Sequence, residues 1–151
     1  MFSLYYVLIL LWVQYEGYFC TSLCEEYEEC ASTTVSDDVI DCYGYESCYS
    51  SDLTCTDTCY CEGYFGCWHA DIRSSDDTYC DGAYTCANAQ ISSDNWVYCD
   101  GECGCWINAI NSSVRTQCTG DNSCRGNDIY NTDVVVHSGY LSGIKIYIQV
   151  V

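Results

Sequence analysis

Cysteine returns at a fixed interval: Cys42, Cys61, Cys80, Cys99 and Cys118 are each 19 residues apart. A second cysteine follows each of them six positions later, at Cys48, Cys67, Cys86, Cys105 and Cys124. Two further columns keep the same period. Gly44, Gly63, Gly82, Gly101, Gly120 and Gly139 stand two residues after each leading site, and Leu53, Ile72, Ile91, Ile110, Ile129 and Ile148 stand eleven after it. Four columns with one period make the chain a repeat array, in which each unit packs only on its neighbours. Upstream, Cys24, Cys30 and Val35 match the columns, in a unit of 18 residues with Glu26 in place of glycine. Downstream, Gly139 is kept while His137 and Gly143 replace the two cysteines, and the last unit stops short at Val151.

The period constrains the fold class. Helix-pair repeats need about 33 or more residues, whereas 19 suit one coil of a β-solenoid with about three short strands and three bends. Ala70-x-Ile72, Ala89-x-Ile91 and Ile146-x-Ile148 put side chains two apart, on one face of a strand. The chain has no proline, so no backbone N–H is missing from coil-to-coil ladders. The glycine column marks a bend where positive φ costs little. The expectation is an all-β, right-handed parallel β-helix of about seven coils, forming one domain over residues 20–151. Each column then becomes a ladder rising ~4.8 Å per coil, and the rod is about 30–35 Å long. The isoleucine column forms an internal stripe. The column two residues earlier, Ser51, Ala70, Ala89, Asn108, Asn127 and Ile146, stays small because the interior is thin.

The chain has 16 cysteines in 151 residues, a density typical of secreted scaffolds held by disulfides, and the even count allows complete pairing. Metal storage by clustered thiols is the competing use, and 16 Tyr, 4 Trp and 3 Phe speak against it. Two pairings fit a solenoid. Cysteines six apart meet within one coil if the chain bends at the intervening glycine; cysteines of one column lie ~4.8 Å apart between coils, also within disulfide reach. The intracoil set is favoured: Cys24–Cys30, Cys42–Cys48, Cys61–Cys67, Cys80–Cys86, Cys99–Cys105 and Cys118–Cys124. Cys55 and Cys59 suit a local extra bridge, while Cys20 and Cys103 have no evident place.

Residues 1–19 carry an apolar core, Phe2 to Val13, too short to span a bilayer comfortably and suited to a cleaved signal peptide. The segment lacks a basic start and a clean small-x-small cleavage site, so an uncleaved anchor is the alternative. A secretory route leaves the cysteines in an oxidising compartment and puts the protein outside the cell or on its surface.

The phrase C-x-G-x-x-[ST]-C-x-x-A-x-I, clearest at Cys80–Ile91, resembles the cysteine-rich right-handed β-helix repeats of many secreted proteins of protists and algae. The resemblance covers about residues 24–148 and implies the fold, with almost nothing about activity. The cysteines six apart also look like those of beetle antifreeze solenoids, from whose shorter coils the 19-residue period departs.

With 4 Lys+Arg against 22 Asp+Glu, the net charge of −18 speaks against nucleic acid and anionic membranes as partners. It fits cations, neutral glycans or basic proteins, or serves solubility alone. Glu62, Asp81 and Asp100 share one column and form the candidate Ca²⁺ ladder; solvent-exposed, screened charges are the plainer reading. Tyr60, Tyr79 and Tyr98 share a second column, and Tyr49, Trp68 and Trp106 a third interrupted by Ala87. These rings either stabilise the sheet or form a strip for a glycan or protein surface. Asn111-Ser-Ser113 is a glycosylation sequon. Ice binding needs a regular Thr-x-Thr lattice, which Arg73, Asp94 and Tyr130 break. A polysaccharide-cleaving enzyme needs clustered carboxylates beside a base, and Arg73, Arg115, Arg125 and Lys145 fall in different columns, with His69 and His137 single. The expected role is a secreted, non-catalytic structural or surface scaffold, with a glycan- or calcium-binding adhesin or effector as alternative. The apolar end IKIYIQVV suits end-to-end self-association, or a longer array of which this chain is a fragment.

Overall fold

A computed structural model describes residues 21–130, 134–136 and 147–149. The expected signal segment 1–19, Cys20, His137, Gly139, Gly143, Lys145 and Ile146 lie outside these residues. The described residues hold fourteen short strands and no helix. Odd-numbered strands form one seven-stranded sheet, here sheet A: β1 (Thr21–Cys24), β3 (Val39–Cys42), β5 (Cys59–Glu62), β7 (Thr78–Asp81), β9 (Trp96–Asp100), β11 (Arg115–Cys118) and β13 (Val134–Val136). Even-numbered strands form sheet B: β2 (Thr34–Asp37), β4 (Asp52–Cys55), β6 (Asp71–Ser74), β8 (Gln90–Ser93), β10 (Ala109–Ser112), β12 (Asp128–Tyr130) and β14 (Tyr147–Gln149). All pairings are parallel and join each strand to the one a coil away, so the chain is a parallel β-solenoid of about six turns.

The sequence columns are the rungs. Cys42 pairs with Cys61, Cys61 with Cys80, Cys80 with Cys99 and Cys99 with Cys118. Ile72, Ile91, Ile110 and Ile129 follow one another in the other sheet. Strand alternation turns both columns inward: the leading cysteines from Cys24 to Cys118 and the stripe from Leu53 to Ile129 are all buried. Seven intracoil disulfides fill the space between: Cys24–Cys30, Cys42–Cys48, Cys55–Cys59, Cys61–Cys67, Cys80–Cys86, Cys99–Cys105 and Cys118–Cys124. Their Cα–Cα distances of 5.5–5.9 Å fit disulfide geometry. The bridges stack: the sulfurs of Cys42, Cys48 and Cys67 lie within 4.8 Å of one another. Ser51, Ala70, Ala89, Asn108 and Asn127 are buried. Asn108 Nδ2 donates to the Cys86 carbonyl at 2.6 Å and Asn108 N–H donates to Asn127 Oδ1 at 2.9 Å, while Asn127 Nδ2 is buried without a hydrogen-bond partner among the described residues.

Two expectations need correction. Each coil has two strands, and its third side is a string of turns running from the leading cysteine past its disulfide partner. The turns ladder as regularly as the strands: Glu46, Cys48 and Ser50 donate N–H bonds to Tyr64, Gly66 and Trp68 at 2.7–3.1 Å, and Phe65, Cys67 and His69 do the same to Ala83, Thr85 and Ala87 at 2.8–3.1 Å. This geometry puts the fourth and eighth residues after each leading cysteine at positive φ, among them Phe65 (58°), His69 (61°), Tyr84 (58°), Asn88 (56°) and Ile107 (55°). A left-handed non-glycine residue costs about 1–2 kcal/mol, which the inter-coil bonds offset. The second correction is at the C-terminal end. Cys118 pairs with Val136, one residue before His137, so this step has 18 residues like the first, while Ile129 still pairs with Ile148.

Glycine is required at the corner after sheet A. Gly82, Gly101 and Gly120 have φ of 127°, 85° and 90°, and a Cβ on each would overlap the carbonyl oxygen of the glycine one coil before. Gly101→Ala therefore lowers stability by about 1–3 kcal/mol. Gly126, at φ 77° with only Ile107 Cγ1 near, is the control. Gly126→Asn changes stability by less than about 1 kcal/mol. Denaturation with disulfides intact measures both, and equal losses would contradict the close approach.

At the opposite corner the Cys55–Cys59 bridge stacks on Ser74 and Thr78 of the next coil. There Thr78 Oγ1 donates to Ser74 Oγ at 3.2 Å, and Ser112 and Thr116 repeat the contact at 3.2 Å. Disulfide and hydroxyl pair are alternative closures of one bend. The double variant Ser74→Cys/Thr78→Cys is expected to form an eighth bridge on oxidation, with a stabilisation of about 2 kcal/mol. Intact-protein mass and thermal melting measure this; thiols that persist in the oxidised protein would contradict the equivalence.

Candidate binding surface

The solenoid presents three outer faces. On sheet B the outward residues are mixed: Asp52 and Thr54, then Asp71 and Arg73, Gln90 and Ser92, Ala109 and Asn111, Asp128 and Tyr130. Arg73 and Asp71 form an exposed ion pair at 2.7 Å, worth little in water. Asn111 is exposed in the middle of β10, where its side chain is accessible to a glycan.

Sheet A carries the expected tyrosine ladder. Tyr60 and Tyr79 stack at 5.1 Å with ring planes 12° apart, and Tyr79 and Tyr98 at 4.5 Å and 3°. Trp96 extends the stack onto Tyr98 at 5.3 Å, and the Arg115 guanidinium sits 4.6 Å from the Trp96 centroid, a cation–π contact. Tyr79 donates its hydroxyl to Asp77 Oδ2 at 3.1 Å. Burial first, then the Asp77 bond, hold the Tyr79 phenol far above its ordinary value, and burial raises Tyr98 too. Rings stacked along the axis cover one another's faces, so this ladder offers mainly edges to a ligand. Its chemistry suits sheet stabilisation.

Glu62, Asp81 and Asp100 stand in register beside it, on β5, β7 and β9. Asp81 and Asp100 join Tyr79, Tyr98, Gln117 and Thr119 around a shallow depression. Among the described residues, the groups of three ligand atoms within 4.8 Å are cysteine sulfurs of the disulfide stack. Asp100 Oδ1 accepts the Gly101 N–H at 2.7 Å. A Ca²⁺ ion takes six to eight oxygens; Asp81 and Asp100 are exposed on this edge, with Glu62 half-buried beside them.

The third face, made of turns, holds a larger aromatic patch. Tyr27 and Tyr45 stack at 5.6 Å, Tyr45 and Tyr64 at 5.6 Å, and Phe65 joins Tyr64 at 4.4 Å, Tyr84 at 5.4 Å and Trp68 at 4.8 Å. Trp68 is half-buried against Tyr49 and His69, and Trp106 meets Tyr84 edge-on at 6.2 Å. Trp68 and Trp106, expected in one strip, are thus linked only through Phe65 and Tyr84. Tyr27, Tyr45 and Tyr64 remain 62%, 46% and 45% exposed. They stand three residues after successive leading cysteines, a column detectable by the same spacing as the others. Cys103 lies buried under this face as a free thiol, its pKa raised by burial.

Asp41 heads the tyrosine column, opposite Tyr60, with Oδ1 buried and unpartnered. Burial raises its pKa above the ordinary 3.8. Burial, then the charges of Asp41 and Asp81, raise Glu62. A carboxyl raised in the fold stabilises it while protonated, and that contribution is lost as pH rises from 3.8 through the raised value. Asp41→Asn is therefore expected to melt higher than wild type at neutral pH, the gap closing toward about pH 3. A variant that melts lower at neutral pH would contradict the desolvation.

Compared with known proteins, the chain matches no family model, no curated protein and no solved structure.

Proposed function

We propose that the chain is a secreted, non-catalytic scaffold, a component of a surface, matrix or wall. The observation that carries this reading is the disulfide stack. Among the described residues every coil from Cys24 to Cys124 is cross-linked on itself, and the apolar interior is filled by sulfur and aliphatic side chains. Disulfides of this density are typical of extracellular proteins. The design puts its chemistry into rigidity. Arg73 of sheet B is spent in an ion pair with Asp71, while Asp81 and Asp100 belong to sheet A, an arrangement that supports the non-catalytic reading. The mixed outward residues of sheet B do not build the flat threonine lattice that ice binding requires.

Antibody labelling of intact cells and of their matrix fraction tests the proposal. The expected result is extracellular label on a protein of increased mass that an N-glycosidase reduces, through Asn111. Label confined to the cytosol would overturn it. A second reading, an adhesin or effector, is favoured by the exposed rings of the turn face. Specific retention on a glycan array, lost in Tyr45→Ala, would select it.

A further inference from the structure

The seven disulfides of the described residues all close within a coil, so none of them ties one coil to the next. The exposed tyrosine stack of the turn face is where such a tie is available. Tyr27, Tyr45 and Tyr64 lie on three successive coils, with neighbouring centroids 5.6 Å apart and ring planes 20° and 9° apart. We propose that this stack is an oxidative cross-linking site, at which a haem peroxidase using hydrogen peroxide joins tyrosines of adjacent coils as dityrosine. The proposal rests on the extracellular scaffold reading for the source of its oxidant.

Each phenol gives up one electron and one proton to become a phenoxyl radical. Two radicals form one carbon–carbon bond between ring carbons ortho to oxygen, and each ortho hydrogen then moves to its own oxygen to restore the phenol. The two electrons and two protons reduce one peroxide to two waters. Coupling requires two rings together within a radical lifetime, and the stack supplies that proximity in advance. Exposure matters for two reasons: the oxidant reaches these rings, and they can turn on the side-chain timescale to bring ortho carbons together. The sheet A ladder is an internal contrast. Tyr79 is half-buried between Tyr60 and Tyr98, with its hydroxyl tied to Asp77, and cannot turn out of the stack.

The test treats dilute, disulfide-intact protein with peroxide and a haem peroxidase, follows dityrosine fluorescence of the monomer, and maps linked peptides by mass spectrometry after cleavage at acidic residues. The expected links are Tyr27–Tyr45 and Tyr45–Tyr64. Tyr45→Phe should lose at least about fivefold of the monomer signal, since effective concentration is what favours these pairs. The double variant Tyr27→Phe/Tyr64→Phe should lose as much, and Tyr79→Phe should lose little. Links spread over all tyrosines, links within Tyr60, Tyr79 and Tyr98, or an undiminished signal in Tyr45→Phe would each overturn the proposal. Such failure would leave the scaffold reading intact, because cellular location tests that independently.

Discussion

Coil-to-coil register is the constraint on which the molecule depends. Each parallel pairing sets a residue on its equivalent one coil away, so every column has one environment along the rod. A slip of one residue in a strand would reverse its faces, sending cysteines to solvent and tyrosines inward. The register is held on all sides of the coil, because the turn face carries its own ladder of backbone bonds. Once it is fixed, glycine at the tight corner, isoleucine inside sheet B and cysteine inside sheet A follow from local fit.

Two kinds of cohesion divide the work. Hydrogen-bond ladders join coil to coil, and disulfides fix the shape of each coil. The interior is too thin for a large apolar core, so sulfur supplies both packing volume and cross-link. Each loop of about seven residues closed by a bridge is worth roughly 2 kcal/mol in the loop-entropy model. Where a bend lacks its disulfide, as at Ser74–Thr78 and Ser112–Thr116, paired hydroxyls take the same place with a weaker tie. Asn108 shows the same economy, its amide filling a gap and satisfying a neighbouring carbonyl.

Much of this was legible in the sequence, because the inward columns admit few residue types. Cysteine, glycine and isoleucine recur where only they fit, and their spacing alone gives the solenoid and its register. The two-strand coil was not legible. Its turn side depends on left-handed backbone at Phe65, His69, Tyr84 and Ile107, residues that carry no turn signal. Inter-coil hydrogen bonds, a tertiary property, hold them there. The same column explains the stray Cys103, a left-handed turn residue outside the disulfide columns. The Val136 register escaped because a constant period places the last unit at His137. On the surface, Tyr60, Tyr79 and Tyr98 could be read as a ladder, but not that their faces are spent on one another. The column of Tyr27, Tyr45 and Tyr64 keeps the array's spacing, but it continues as Ala83, Glu102 and Asp121 and so reads as a mixed outer column. Outer columns change from coil to coil, so they offer spacing arguments little to read.

The backbone climbs one rung per 19 residues with each coil closed on itself. Peptide mapping of the oxidised, unreduced protein addresses it most directly. The account predicts bridges between cysteines six apart, such as Cys61–Cys67 and Cys80–Cys86, together with Cys55–Cys59 and an unpaired Cys103. Bridges between successive coils, such as Cys61–Cys80 or Cys67–Cys86, would contradict it.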